Sequence, residues 1–171
     1  LAAPDPERQV ARPRTVVDAY VKPIQELFSR QGALLIVGFV FFYRFGYALA
    51  TPMNTPFLLE LGFAKLDIAA YRKGVGLLAT LLGGLVGGAL VSRLRLKRAL
   101  LLFGVLLALV HLSWVALVYT GPRPWMLAIA IVVENLFIGL STTAFEAYLM
   151  ALCNASYSAT QFAALAGLSS A

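Results

Sequence analysis

Four long apolar stretches, separated by short polar segments, dominate the pattern of the chain. They cover residues 33–59, 68–91, 99–119 and 125–154. Each has about the ~20 residues or more that an α-helix needs to cross the hydrocarbon core of a bilayer. The pattern therefore predicts an all-α polytopic membrane protein with four complete transmembrane helices, called I to IV here.

A fifth helix is predicted to begin near Ala159. Ser158 and Gln161 have the spacing of a capping box, which favours a helix start at this point. Residues 159–171 would form only about 20 Å of helix, less than the ~30 Å of hydrocarbon. We therefore expect this sequence to end inside a transmembrane helix and to be a fragment of a longer protein.

The first 32 residues differ in character from the rest. Residues 1–14 are rich in proline and charge, which predicts a linker. Residues 16–28 place apolar side chains on one helical face, so we expect an amphipathic cytoplasmic helix on the membrane or the bundle. It could also bind a partner protein. Pro23 favours a break, with a shorter helix starting there. The chain is thus predicted to consist of two parts: a linker with a cytoplasmic amphipathic segment at 1–32, and the transmembrane helices at 33–171.

Charge and composition exclude several function classes. Only 13% of residues are charged and the mean hydropathy is +0.82. The net charge of +6 is concentrated at 8–30 and 93–98, beside apolar helices, which is the distribution of the positive-inside rule and not of a nucleic-acid surface. Cys153 and His111 are the single cysteine and histidine, which argues against a metal site. No nucleophile–base pair, phosphate loop or nucleotide fingerprint occurs, so we expect no enzyme and no cofactor.

Ionisable residues inside the apolar helices are the candidates for function, because such groups are costly in a membrane and mark solute or proton paths. Counted from opposite sides, Arg44 in helix I and Glu134 in helix IV are both predicted near mid-bilayer. They could form a structural pair, or each could meet substrate or a proton. Arg44 suits carboxylates or phosphates, and Glu134, which can be protonated, suits proton coupling.

Other polar residues share helical faces with these two. Arg44, Tyr47, Thr51 and Thr55 form one stripe of helix I, whose second half Pro52 and Pro56 should bend or break. In helix IV a narrow arc holds a second set, with Glu134 and Ser141 beside it: Asn135, Gly139, Thr142 and Glu146.

Helices II and III carry weaker candidates. Small residues four apart in helix II, including Gly84 and Gly88, predict close helix packing. Lys73 could snorkel to the surface or face a cavity. His111 of helix III could relay protons or hydrogen-bond a neighbour and stay neutral.

Several runs together resemble one transporter family. They are YRFGYALA at 43–50, KGVGLLATLLGGLVGG at 73–88, RALLLFG at 98–104, VENLFIGLSTTAFEAYLMALCN at 133–154 and SATQFAALAGLSS at 158–170. They are similar to the AmpG-type muropeptide permease family of the major facilitator superfamily. The resemblance implies the C-terminal half of a permease: an inter-half cytoplasmic segment, transmembrane helices 7–10, and the start of helix 11.

This resemblance implies a secondary transporter that imports anhydromuropeptides with protons across the bacterial inner membrane. The residues expected to bind substrate or protons are Arg44, Tyr47, Lys73, Glu134, Asn135 and Thr142. Tyr47 departs from the family pattern, which tends to have Asp there. Ser92 and Arg95 depart from the superfamily's cytoplasmic loop motif.

Two other functions stay open on the sequence. The protein could transport another anionic solute, such as an acyl-CoA. It could also be a membrane scaffold or sensor that transports nothing. A dry, closed contact between Arg44 and Glu134 would favour the scaffold, whereas a polar cavity would favour a transporter.

Overall fold

The structure, a computed structural model, describes residues 16–29, 31–153 and 158–170. The predicted linker at 1–14 lies outside these residues. The described chain forms a helical bundle. The helices are α1 (Val16–Ser29), α2 (Ala33–Glu60), α3 (Lys65–Tyr71), α4 (Leu77–Arg93), α5 (Leu96–Val110), α6 (Leu112–Thr120), α7 (Pro124–Leu152) and α8 (Ser158–Ser170).

Among the described residues, four segments are long and apolar enough to cross a membrane, which confirms the predicted number. Predicted helix I is α2 and helix IV is α7. Helix II is the continuous segment Lys65–Arg93, in which a π-helical turn, Arg72–Gly76, joins α3 to α4. Helix III, Leu96–Thr120, is interrupted at His111, between α5 and α6. The chain is therefore a multi-pass membrane protein.

The prolines do not break the helices, contrary to the prediction from the sequence. Helix α2 continues through Pro52 and Pro56, and α1 continues through position 23. Of the bend or break predicted for helix I, the break does not occur, and the shorter helix predicted to start at Pro23 is wrong. Each proline removes one backbone hydrogen bond, whereas a helix end at membrane depth would leave about four carbonyls unpaired. Continuing the helix is the smaller cost where no water is available.

The closest helix contact joins α4 to α7 and depends on glycine. A Cβ atom on Gly83 would overlap the backbone carbonyl of Leu136, and one on Gly139 would overlap that of Thr80. The same Gly139 Cβ would lie 2.7 Å from the backbone nitrogen of Gly84. The predicted packing of small residues is confirmed, because only glycine lets these two backbones approach so closely.

Helix α1 packs on the bundle, which is one of the two positions predicted for it from the sequence. Its Leu27 is buried in the apolar cluster that also contains Phe103, Phe145 and Leu165. Val21, Ile24 and Phe28 of α1 remain exposed. Helix α8 begins at Ser158, close to the predicted start. Its Gln161 is fully buried and donates a hydrogen bond to the carboxylate of Glu26 in α1.

We expect Gly139→Ala to destabilise the protein. The added methyl would overlap the backbone of α4, which no side-chain rotation can relieve, and overpacking of this kind costs about 1–3 kcal/mol. The apparent melting temperature in detergent should fall by about 5 °C.

Gly38→Ala in α2 is the matched control. Its Cβ would have no atom within 4 Å, so the melting temperature should stay the same or rise, since alanine favours a helix. Equal effects of the two substitutions would contradict the packing role of Gly139.

Candidate functional site

Glu134 of α7 is the most enclosed charged residue in the described part of the chain, with 3% of the residue's surface exposed. Its Oε1 atom accepts a hydrogen bond of 3.2 Å from the amide nitrogen of Asn54 in α2. The same oxygen lies 3.9 Å from Nε2 of His111. Three transmembrane segments thus converge on one carboxylate, as expected for a functional group in a membrane.

Further polar side chains lie around this carboxylate. Arg72, in the π-helical turn, acts on Glu134 electrostatically and donates a hydrogen bond of 3.3 Å from Nη1 to the hydroxyl of Thr55. The indole nitrogen of Trp114 is buried without a hydrogen-bond partner, and Trp114 is among the groups that act on the carboxylate. The single negative charge therefore has two basic neighbours, Arg72 and His111.

Arg44 lies in a different environment, over aromatic rings. Its guanidinium carbon is 5.6 Å from the ring centre of Phe145 and 5.9 Å from that of Tyr47. Within the described part of the chain it forms no ion pair and no hydrogen bond. Cation–π contacts hold the side chain in place, so its hydrogen-bond donors are free to bind an anion.

Arg44 and Glu134 do not lie at the same depth, and that prediction is wrong. Arg44 is level with Phe145, whereas Glu134 is level with Asn54. Glu134 and Phe145 are three turns apart on α7, about 16 Å at ~1.5 Å per residue. The predicted depths were counted in residues from the start of each apolar helix. They were wrong because α2 and α7 are each longer than the ~20 residues needed to span the bilayer. No ion pair joins the two residues in the described structure, so the dry closed contact expected for a scaffold is absent there.

Arg44 lines a small polar cavity of about 190 Å³ between α2, α5 and α7. Tyr47 and Thr142, both predicted site residues, line the same cavity. So does Tyr43, which the sequence predictions missed. Its hydroxyl lies 2.8 Å from that of Ser141, and its ring stacks on Phe145 with centres 5.1 Å apart. Tyrosine is common in apolar helices, so nothing in the sequence distinguishes this one.

A larger cavity of about 500 Å³ lies beside the Arg44 cavity, between α2 and α5. Tyr43, Tyr47 and Ser141 line both cavities. The far end of the larger one is lined by His111. The Arg44 region and the surroundings of Glu134 are thus linked along α2, although the two side chains are far apart.

Two predicted site residues lie elsewhere. Asn135 faces α4, where its side-chain oxygen accepts a hydrogen bond of 3.1 Å from Thr80. Its amide nitrogen donates to the carbonyl of Ile131 at 2.8 Å. Lys73 is exposed on the π-helical turn and has no ion pair or hydrogen bond with the described residues. The structure brings neither residue to Arg44 or Glu134.

Three residues of α7 contact α2, at positions 134, 141 and 145. The predicted polar arc began one position later, at Asn135. That arc meets α4 at Asn135 and Gly139, while Thr142 reaches the cavity and Glu146 is exposed. Asn54, Arg72 and His111 are the functional candidates that the site prediction left out. An ionisable or amide group inside an apolar run was the available signal for each.

Comparison with known proteins agrees with this architecture. The sequence matches the profile of the Major Facilitator Superfamily over residues 1–171. The chain therefore belongs to this superfamily of membrane transporters, and not to an enzyme family. Within it, the chain is 41% identical over 170 residues to the anhydromuropeptide permease of Escherichia coli K12. It is 36% identical over 154 residues to a protein of Rickettsia conorii named as transporter AmpG 4.

These relatives confirm the resemblance to AmpG-type muropeptide permeases. The alignments cover 99% of the chain for the first relative and 90% for the second. They cover only 35% and 37% of those relatives, so the chain spans about a third of their length.

Proposed function

We propose that the chain is part of the C-terminal half of a proton-coupled secondary transporter. In this proposal it supplies transmembrane helices 7–10 and the start of helix 11, after a cytoplasmic segment. The transporter imports anhydromuropeptides across the bacterial inner membrane. Similarity to the Escherichia coli anhydromuropeptide permease supports the substrate class. The observation that carries the mechanism is a buried, protonatable carboxylate separated from an unpaired arginine that lines a cavity.

Arg44 is proposed to bind anionic groups of the substrate. Its aromatic neighbours position the guanidinium without neutralising it. The planar fork of an arginine binds a carboxylate through two parallel hydrogen bonds. Tyr47 and Thr142 line the same cavity, and their hydroxyl groups can pair with hydroxyls of a sugar or with amides of a peptide.

Glu134 is proposed to carry the coupling proton. Its carboxylate is removed from solvent, and an ionisable group enclosed at membrane depth is the kind of residue that marks a proton path. Asn54 contacts it from α2, the helix that also carries Arg44. Protonation of Glu134 would weaken its hydrogen bond from Asn54, because the bond would lose its charge assistance, and this links the proton to the helix that lines the substrate cavity. Lys73 and Asn135 have no contact that supports a direct role in this mechanism.

Anionic solutes other than muropeptides, such as acyl-CoA, would also fit Arg44. The proposal is tested with the full-length protein to which this sequence belongs, in right-side-out membrane vesicles with labelled anhydromuropeptide. We expect accumulation above the external concentration that is abolished by an uncoupler. Competition by unlabelled muropeptide, but not by an acyl-CoA, should reduce the uptake.

Proton coupling would be refuted if the internal substrate concentration only reached the external one and the uncoupler had no effect on uptake. The proposed substrate would be refuted if the vesicles took up no muropeptide but did take up a labelled acyl-CoA, and if unlabelled acyl-CoA reduced that uptake. Vesicles without the protein measure passive leakage.

A further inference from the structure

His111 lies between a cavity and the buried carboxylate of Glu134. Its side chain is 29% exposed, whereas that of Glu134 is 4% exposed. His111 lines the 500 Å³ cavity between α2 and α5, and it also lines a neighbouring one of about 290 Å³ that reaches Asn54 and Trp114. Glu134 is not among the lining residues of either cavity, whereas His111 lines both.

The two ring nitrogens of His111 have different surroundings. Nδ1 lies 2.8 Å from the carbonyl oxygen of Leu107, one turn earlier. A carbonyl oxygen only accepts, so Nδ1 carries a hydrogen whatever the state of the ring. Nε2 is therefore the nitrogen that gains and loses a proton. This is the atom 3.9 Å from Oε1 of Glu134.

We infer that His111 relays protons between the cavity and Glu134. This deepens the proposed function and depends on it. The imidazole takes up a proton at Nε2 from the cavity. The Nε2–H bond then breaks as an Oε1–H bond forms on Glu134, directly after a small approach or through one water molecule. The transfer turns a cation and an anion into two neutral groups, so no isolated charge is left buried.

The groups around the pair suit such a relay. Asn54 of α2 donates to the same oxygen, Oε1, and holds it in place facing His111. Arg72 is the further charged group that acts on the carboxylate, and it is also held by Thr55 of α2. His111 itself stands at the junction of α5 and α6, where the regular helix is interrupted.

The test uses His111→Asn in the full-length protein. The asparagine amide can replace Nδ1 as the donor to Leu107, but it has no equivalent of Nε2 and does not titrate. We expect uncoupler-sensitive accumulation of labelled anhydromuropeptide to fall by about tenfold or more, the effect typical of a lost proton-transfer group. Exchange of labelled for unlabelled substrate at equal concentrations, which needs no net proton movement, should stay within about twofold of wild type.

Ser113→Ala is the matched control. It removes a buried hydroxyl without a hydrogen-bond partner from the same helix junction, so both accumulation and exchange should persist. Substrate-driven pH change in the vesicle lumen, followed with a trapped dye, provides a second readout of proton movement. It should be lost in His111→Asn and retained in Ser113→Ala.

The failure of the inference can be told apart from the failure of the proposed function. Wild-type vesicles that accumulate substrate with protons, while His111→Asn does the same, would overturn the relay and leave the function intact. Loss of exchange together with accumulation in His111→Asn would also overturn it, since a relay affects only net proton movement. Wild-type vesicles without uptake would refute the proposed function, and with it the relay.

Discussion

Glu134→Gln is expected to abolish accumulation of anhydromuropeptide, with a fall of about a hundredfold or more. Glutamine has the shape of a protonated glutamate and keeps an oxygen that can accept the hydrogen bond from Asn54. It cannot release or take up a proton. Exchange of labelled for unlabelled substrate should persist, because the Arg44 cavity is about three helical turns away. The measurement is uptake with and without an uncoupler in vesicles, beside the exchange rate.

The same helix supplies the control for this substitution. Glu146 is an exposed carboxylate of α7, and Glu146→Gln removes the same charge at the end of the helix. We expect its accumulation to stay within about twofold of wild type, since exposed charges contribute little. Accumulation by Glu134→Gln that still responds to an uncoupler would show that the coupling proton is carried elsewhere.

Arg44→Ala should weaken substrate binding more than turnover. A hydrogen bond to a charged group contributes about 1.5–3 kcal/mol, which corresponds to a rise in KM of about 10- to 100-fold. Arg44→Lys keeps the positive charge but lacks the planar fork, so its KM should lie between those of wild type and Arg44→Ala. Initial uptake rates over a range of substrate concentrations give both KM and the maximal rate.

A basic residue outside the cavity is needed for comparison. Arg123 is exposed in the turn before α7, and Arg123→Ala changes the net charge by the same amount. Its KM should be unchanged within about twofold. A rise in KM of the same size in Arg123→Ala and Arg44→Ala would mean that general electrostatic attraction, and not the cavity, binds the substrate.

The elements of the fold follow from local properties of the sequence. A run of ~20 apolar residues has only the helix available in a bilayer, because every backbone group must be paired within the segment. The four spans were predicted on this basis, and the start of α8 was predicted from the capping-box spacing of Ser158 and Gln161. Small residues four apart likewise predicted the close contact of α4 with a neighbour, although not which neighbour it would be. The helix breaks considered at proline did not occur, because whether a helix breaks depends on the backbone groups that a break would expose.

The identity of the chemical groups was also available in the sequence. Glu134 and Arg44 stand out because ionisable residues are rare in apolar helices. His111 stood out for the same reason, with its two alternatives open. The motifs in the last third of the chain pointed to the permease family before any comparison was made. All of this depends on residue type and local order, which a single sequence contains.

The partners of these groups were decided by tertiary structure alone. A helix places a new residue every ~100°, so Glu134 and Asn135 share one polar region, yet the first meets α2 and the second meets α4. Which face meets which neighbour depends on how the α4–α7 glycines rotate the helices against each other. The axial offset of Arg44 from Glu134, and the approach of His111 to the carboxylate, depend on how far neighbouring helices slide along one another. Hydropathy leaves both the rotation and the slide free, and packing determines them.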